Sequence, residues 1–588
     1  MKVTVFIALI AILASCTAKF NPEITVEDLK ENIEYLASDS LKGRKPGKEG
    51  SLLAADFIRQ KFENAGLELM YENGFQDFGL ITSAEVADGN SLSVNGNSYE
   101  VKTDFLPYAF SSNSKVEAGV VFAGYGLQVD LDTVKWNDFD GIDVTGKWIL
   151  ALQGDPDMDN AQSPFVPFSS ERSKALNASD NKAAGLILVA GPSYSKNDEL
   201  SSLFFDKNTS NYSFPVIQVT RAVANKMLAA SDETVESLET KMLEQKATLS
   251  VKTEAKVAVN VNVELKETKT QNVVAMVPGT DETLKSQYVV IGGHYDHLGM
   301  GGPGSGSRAV DTIAVHNGAD DNASGVAAVI EIAEKVAAEK NNKRSVIFVA
   351  FGAEEMGLVG SKAFAENPPV ETEKIVAMFN LDMVGRLDTV SKGLSIGGTK
   401  TAKETEDILN DLNTGFELAM SPEGVGPSDH ASFYLKDIPV FFISTGAHAD
   451  YHTPQDDVEF VNFEGAKKVT EYSYILLNKI VNRDSVLTFQ EAGPKFQRKR
   501  GGKFKVTFGI MPDFAGMEKR GLRIDAVTKG KPADKGGMKK GDIITAIEGK
   551  KVGGIHDYMS RLQTLKAGQT ITVDVLRDDK KTVLIIQL

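Results

Sequence analysis

The chain has 588 residues, 42% of them hydrophobic and 24% charged, with a formal net charge of -16. That length exceeds a single hydrophobic core and predicts several domains, while the composition excludes long disordered spans. The acidic balance excludes nucleic acid as a partner, because phosphate recognition needs a basic face.

At the N-terminus, Lys2 precedes the apolar stretch Val3 to Leu13, and Ala14-Ser15-Cys16 follows. This charged, apolar, small-residue order is that of a secretory signal. Its Leu13-Ala14-Ser15-Cys16 ending resembles a bacterial lipobox. The resemblance implies a signal peptide over 1–15, lipidation at Cys16 and a tether over 16–22. The expected location is exported, lipid-anchored to a bacterial membrane and facing periplasm or cell surface. Cys16 is the only cysteine, so the mature protein is expected to have no intramolecular disulfide and no thiol catalyst. No other segment reaches the roughly 20 apolar residues of a membrane span.

From Thr25 to Leu67 the apolar spacing is helical, through Leu29, Ile33 and Leu36, then Ala54, Phe57, Ile58 and Phe62, with Gly66 as a stop. Lys42 to Gly47 is a turn-rich loop between the two helices. Residues 23–110 and 251–488 are expected to form one domain, interrupted by an insert over 111–250. Short strand-like runs mark the insert: Gly119 to Ala123, Trp148 to Leu152 and Gly185 to Val189, between polar loops. Its Gly141 to Lys147 and Lys182 to Gly185 segments resemble the protease-associated domain, a small β-rich module. That implies either control of substrate access and partner contact, or a passive lid.

Past residue 270, four apolar runs each end in metal-type ligands. Val289-Val290-Ile291 leads to His294-Tyr295-Asp296-His297, and Val346 to Phe351 leads to Glu354-Glu355. Ile375 to Phe379 leads to Asp382, and Val440 to Ile443 leads to His448 and then Tyr451-His452. Continuous apolar runs read as strands buried on both faces. Alternating with helical patterns such as Gly325 to Ala338, they predict an α/β domain with a mostly parallel central sheet flanked by helices. Ligands bind beyond the carboxyl ends of such strands, and a hydrolytic metal site explains why core strands end in His, Glu and Asp.

Residues 489–503 read as a linker, its Arg498-Lys499-Arg500 run as a solvated joint. Residues 504–588 resemble a PDZ domain of bacterial-protease type, on Phe508-Gly509-Ile510-Met511, Lys531-Pro532-Ala533 and Gly537 to Ile544. The resemblance implies capture of a C-terminal peptide by strand addition, with Phe508 to Ile510 lining the groove; a groove closed against the catalytic domain is the alternative.

His294-Tyr295-Asp296, Gly318 to Gly325, Glu354-Glu355, Asp382 and Tyr451 to Pro454, in this order, resemble the co-catalytic di-zinc aminopeptidases, a group with bacterial leucyl aminopeptidases and glutamate carboxypeptidases. The resemblance implies two Zn²⁺ per chain bridged by Asp321, with Asp320 the rival for that role. His294 and Asp382 would complete one metal, Glu355 and His452 the other, leaving room for a bridging water. It further implies Glu354 as general base, Tyr451 as donor to the oxyanion and a cis Asp321–Asn322 peptide. Asp296 is expected to hydrogen-bond the His294 imidazole and fix its tautomer. His297, His316, His448, His556 and the Ser428-Asp429-His430 segment are expected to serve structural or solvent roles. The function implied is a zinc exopeptidase, an aminopeptidase acting on peptides. A carboxypeptidase or dipeptidase with Arg386 as carboxylate clamp, a glutaminyl cyclase and a non-catalytic surface scaffold are the rivals. Cobalt or manganese would also suit N/O donors.

Overall fold

The computed structural model describes residues 20–588 except 132, 161–162, 207–211, 303, 310, 494–505 and 513–519. The expected signal, Cys16 and most of the linker lie outside the described residues. Among the described residues no helix is long and apolar enough to cross a membrane.

Four parallel strands carry the site: β1 (Tyr288–His294), β2 (Ser345–Phe351), β3 (Ile375–Leu381) and β4 (Val440–Ser444), side by side in the order β2-β1-β3-β4. Val, Ile and Phe dominate them, and all seven residues of β2 are buried. β-Branched and aromatic side chains suit a pleated surface covered on both faces. Antiparallel strands flank the four: Val263–Val277 beside β2 and Gly393–Gly397 beside β4. Helices Val26–Leu36, Glu49–Asn64, α1 (Gly325–Glu339) and Phe463–Val481 pack on one face. Val359–Glu366 and His430–Tyr434 cover the other. From β1 the chain goes to β2 on one side and then to β3 on the other, so a switch point opens between β1 and β3.

The long strand Val263–Val277 pairs over its first part with Phe75–Val86 and over its last with β2. The resulting ribbon carries the insert away from the central sheet. The insert has its own eight-stranded sheet, which already includes Ser91–Val94, Asn97–Tyr99 and Phe105–Pro107 and ends with Ser250–Asn260. The expected limits of 111 and 250 are therefore too narrow. The early strands alternate polar and apolar residues, a weaker signal than the continuous runs that marked the insert's centre. Nor is the insert purely β-rich: helices Glu171–Asp180, Arg221–Leu228 and Val235–Gln245 belong to it.

The C-terminal sheet, from Ile510–Pro512 to Lys580–Gln587, packs on helix Ile555–Thr564. Phe508 and Ile510 are buried in this core, Phe508 edge-on to Tyr558 with ring centres 5.5 Å apart. Their side chains fill the domain core, while the strand Ile510–Pro512 lies at an edge of the sheet. The helix also meets the insert: Arg561 pairs with Asp180, and the Tyr212 hydroxyl donates to Asp557 Oδ1 at 3.0 Å.

Candidate metal centre

Strand register brings the ligand-type residues together. His294 ends β1 opposite Phe351 on β2, and Gly292 of β1 faces Asn380 of β3. Glu354 and Asp382 thus leave the sheet on either side of His294. Gly293 permits the close approach: a Cβ there would sit 2.5 Å from the Leu381 carbonyl oxygen.

The loop Ala319–Ser324 before α1 is pinned from several directions. Its Asp321–Asn322 peptide is cis. The buried Asp456 carboxylate accepts hydrogen bonds from the backbone N–H groups of Asp320 and Asp321, at 3.1 and 2.9 Å. Asn322 Oδ1 accepts from the N–H groups of Gly325 and Met383, at 3.0 and 3.1 Å. These contacts turn the two neighbouring aspartates in different directions. Asp320 Oδ1 accepts from Gly385 N–H at 2.6 Å and Ser324 Oγ at 3.0 Å, and its Oδ2 lies 3.4 Å from His448. Asp321 faces the histidines.

Around Asp321, two groups of donors converge. His294 Nε2 is 3.2 Å from Asp321 Oδ1, 3.5 Å from Asp382 Oδ1 and 4.0 Å from Glu354 Oε2. On the other side, His452 Nε2 is 3.1 Å from Asp321 Oδ2 and 3.2 Å from Glu355 Oε1. His297 Nδ1 joins this second group, 3.0 Å from Glu355 Oε1 and 3.8 Å from Asp321 Oδ2. Charge follows the geometry. Burial works to lower the basicity of His294 and His452, but the facing carboxylates outweigh it, holding His294 well above its ordinary range and His452 up at about 10. Burial likewise works to raise Asp321 and Glu355, yet the imidazoles hold Asp321 well below the carboxylate range and Glu355 at about 2. Buried carboxylates and imidazoles facing one another on both sides of one aspartate fit divalent cations with N/O donors, whose binding would displace the imidazole protons.

Glu354 differs from its neighbour. Burial first, and then the carboxylates of Glu355, Asp429 and Asp382, push it well above the usual carboxylate range against the pull of His294. Its Oε2 also lies within ligand distance of the His294 group. A buried acid whose environment disfavours its charge is suited to carry a proton as well as to stand among metal donors. Tyr451 stacks on His452 with ring centres 3.9 Å apart, and burial raises its hydroxyl above the ordinary range, reinforced by Asp321 and Glu355.

Several contacts differ from expectation. The Asp296 carboxylate does not hydrogen-bond the His294 ring, 3.9 Å away; His294 Nδ1 lies 3.1 Å from the Asp296 backbone oxygen. The carboxylate instead accepts from Glu354 N–H at 2.9 Å and Glu355 N–H at 3.2 Å, two donors at a strand end that lack a ladder partner. His297, expected to serve a structural or solvent role, sits within the donors. Arg386 is held 3.3 Å from Asp456 and 3.5 Å from Asp450, which removes the simplest carboxylate clamp. His430 stacks on Phe442, and burial pushes it down to about 3. Burial pushes the neighbouring Asp429 up to about 7. His316 reaches Ser307 Oγ at 2.8 Å.

Two residues of the site gave no signal that sequence reasoning used. Asp456 lies just after the Tyr451 to Pro454 motif. Arg44, in the loop read only as a turn, is buried and donates to the carbonyls of Tyr295, Asn317 and Gly318 at 2.7, 2.6 and 3.0 Å, and to Leu36. It ties together the two loops that carry His294 and Asp321.

Residues 272–476, which include every candidate ligand, match Peptidase family M28. Residues 509–588 match the PDZ domain. A probable leucine aminopeptidase of Trichophyton verrucosum (strain HKI 0517) is 26% identical over 205 residues, 33% of this chain and 52% of the relative. Aminopeptidase YwaD of Bacillus subtilis (strain 168) is 30% identical over 165 residues, 26% of this chain and 36% of the relative. The chain thus spans about half or less of the length of these relatives. Among solved structures, an aminopeptidase from Aneurinibacillus sp. strain AM-1 is 21% identical with a TM-score of 0.47, over 80% of this chain and 96% of that one.

Proposed function

We propose that the chain is a zinc-dependent aminopeptidase of the M28 type, holding two zinc ions on either side of Asp321. The observation that carries this reading is the pair of donor groups, His294 with Asp382 and Glu355 with His452, on opposite oxygens of one buried carboxylate. Bound zinc supplies a nucleophilic water at neutral pH and polarises the scissile carbonyl. Glu354 takes a proton from the attacking water and passes it to the leaving amine, a task suited to a carboxyl raised by burial. The Asp296 carboxylate fixes the backbone that presents Glu354 and Glu355. Tyr451 stands beside His452, suited to donate to the developing oxyanion.

The PDZ domain would take a C-terminal peptide, and the insert would act as a protease-associated module next to the cleft. Export and lipid attachment at Cys16 complete the reading, and the signal-like order of residues 2–16 supports them.

The test is cleavage of a mixed peptide pool, free and N-terminally blocked, followed by mass spectrometry. Stepwise loss from free N-termini only, abolished by chelator, is expected. Trimming of blocked peptides, or from the other end, would replace this reading with a carboxypeptidase or dipeptidase.

A further inference from the structure

The insert reaches the candidate metal centre through a short stretch, Leu203-Phe204-Phe205-Asp206, between its strands Gly185–Val189 and Val216–Val219. The stretch is anchored at both ends. The buried Gln218 side chain accepts from the Ser201 N–H and donates to the Ser201 carbonyl, both at 2.8 Å, as a neighbouring strand would. The Asp206 carboxylate pairs with the buried Arg172, whose guanidinium lies 4.5 Å from the centre of the Phe110 ring. Between these anchors Leu203 and Phe205 pack on the core of the insert. Phe204 is exposed and lies against Gly304, where a Cβ would sit 2.9 Å from Phe204 Cδ2. Gly304 belongs to the loop whose Gly306 carbonyl is 3.1 Å from His452 Nδ1.

Phe205 and the metal centre share one cavity of about 40 Å³. Glu355 and His297 line it from the site, and Pro46, Leu298, Met356 and Phe205 give it apolar walls. Its remaining polar side chains, Lys45, Thr82 and Ser305, include no carboxylate, so nothing beyond Glu355 favours a basic group there. A water occupies about 10–15 Å³ of such a space, so this one takes about three or four carbon-sized groups. An aliphatic side chain fits, and an aromatic ring does not. A peptide whose carbonyl lies at the metal donors brings the side chains next to its scissile bond within reach of this cavity.

We propose that the insert sets the side-chain preference of the enzyme, with Phe205 as a wall of the pocket that takes an aliphatic side chain flanking the scissile bond. This rests on the aminopeptidase reading above. It makes the insert a part of the substrate pocket and not a passive lid. The side chain comes from the first or the second residue of the peptide, and the assay separates the two.

The test uses the full, metal-loaded chain and two peptide series, in which either the first or the second residue is Ala, Val, Phe or Glu with all else fixed. In one series the wild type is expected to favour Val over Phe by about tenfold or more in kcat/KM. Phe205→Ala opens the wall and should abolish that preference in the same series. A merely structural defect would slow all peptides alike and leave the ratio intact. Phe205→Leu keeps an apolar group on the core of the insert and should move the ratio the same way by less; it decides the matter should F205A fail to fold by circular dichroism. A wild type without the Val-over-Phe preference in either series, a preference for Glu, or an unchanged ratio in the folded variants would each overturn the proposal. Failure to cleave any free peptide would overturn the aminopeptidase reading itself and this inference with it.

Discussion

Two sheets in this chain each set four neighbouring parallel strands side by side, and they treat the buried charges packed near those strands in opposite ways. In the insert, strands Lys115–Ala123, Trp148–Leu152, Gly185–Val189 and Val216–Val219 run parallel. Beyond them, Lys174 donates to the carbonyls of Leu152 and Gly154 at 2.5 Å each, and Arg221 to those of Ala190, Ser195 and Lys196. Asp138 accepts from the N–H groups of Tyr125 and Leu127, both at 3.0 Å. Each of these buried charges bonds to backbone, and Arg221 also stands near Asp198 and Glu236. In the central sheet, the side chains past β1 to β4 face one another, carboxylate against imidazole. The first arrangement ties its charges to the backbone one at a time. The second collects charges that a cation would bridge, so a polar strand end marks a site only where its donors converge.

The largest effect expected is at Glu354, the proposed proton carrier. Glu354→Gln should lower kcat by about 10²–10⁴-fold with metal content unchanged, read by steady-state kinetics and elemental analysis of the same sample. Loss of metal together with activity would make Glu354 a ligand and blur the difference between the two donor groups.

Next comes the backbone clamp. Asp296→Ala removes the acceptor for both Glu354 N–H and Glu355 N–H and should cost about 10–100-fold in activity, as outer partners of metal sites do. An Asp296→Ala protein with wild-type kcat would show that the strand end positions both glutamates unaided.

The insert provides the converse test. Burial pushes the Lys174 ammonium down to about 7, against the opposing pull of Glu171, Asp138 and Asp155. Lys174→Met leaves two carbonyls unmet and should destabilise the protein by about 2 kcal/mol, seen as a lower Tm, while activity per folded molecule stays unchanged. A change in kcat would mean that the insert's buried cluster communicates with the metal centre.

The four strands and their ligand-bearing ends were legible because buried parallel strands leave unbroken apolar runs, and because His294, Glu354 and Asp382 follow them at once. The edges of the insert were not. Strand Ser91–Val94 has only two buried side chains in alternation, so it carries no run to read. Asp296 was placed beside His294 by its spacing along an extended strand, but β1 ends at His294 and the chain turns, which sends the carboxylate to Glu354 and Glu355. Arg44 was invisible because its partners are carbonyls, and a carbonyl has no letter in a sequence. In the sequence His297 reads as one more histidine in a Gly-rich loop; only the fold shows that Gly318 gives it room beside Glu355.

Burial without convergence has one further case within the domain of the central sheet itself. Glu331, on α1, is buried and accepts from Asn32 Nδ2 at 3.1 Å, but among the described residues no cation pairs with it directly. Burial first, then the nearby carboxylates of Glu334 and Asp28, push it up to about 9, with Lys61 only partly opposing. Burial raises Glu334 in turn to about 7. In the unfolded chain a glutamate titrates near ~4.3. Below that value Glu331 is protonated in both states and costs nothing. Between about 4.3 and 9 the folded state holds a proton that the unfolded state has lost, so stability falls as pH rises through this window and levels off above it. Glu331→Gln keeps the shape and removes the proton. It should raise Tm at pH 8, by on the order of 1–2 kcal/mol of stability once relaxation around the site is allowed for, and have little effect near pH 4. An equal shift at both pH values would mean that Glu331 is already charged in the fold, and that a buried acid here needs no facing cation.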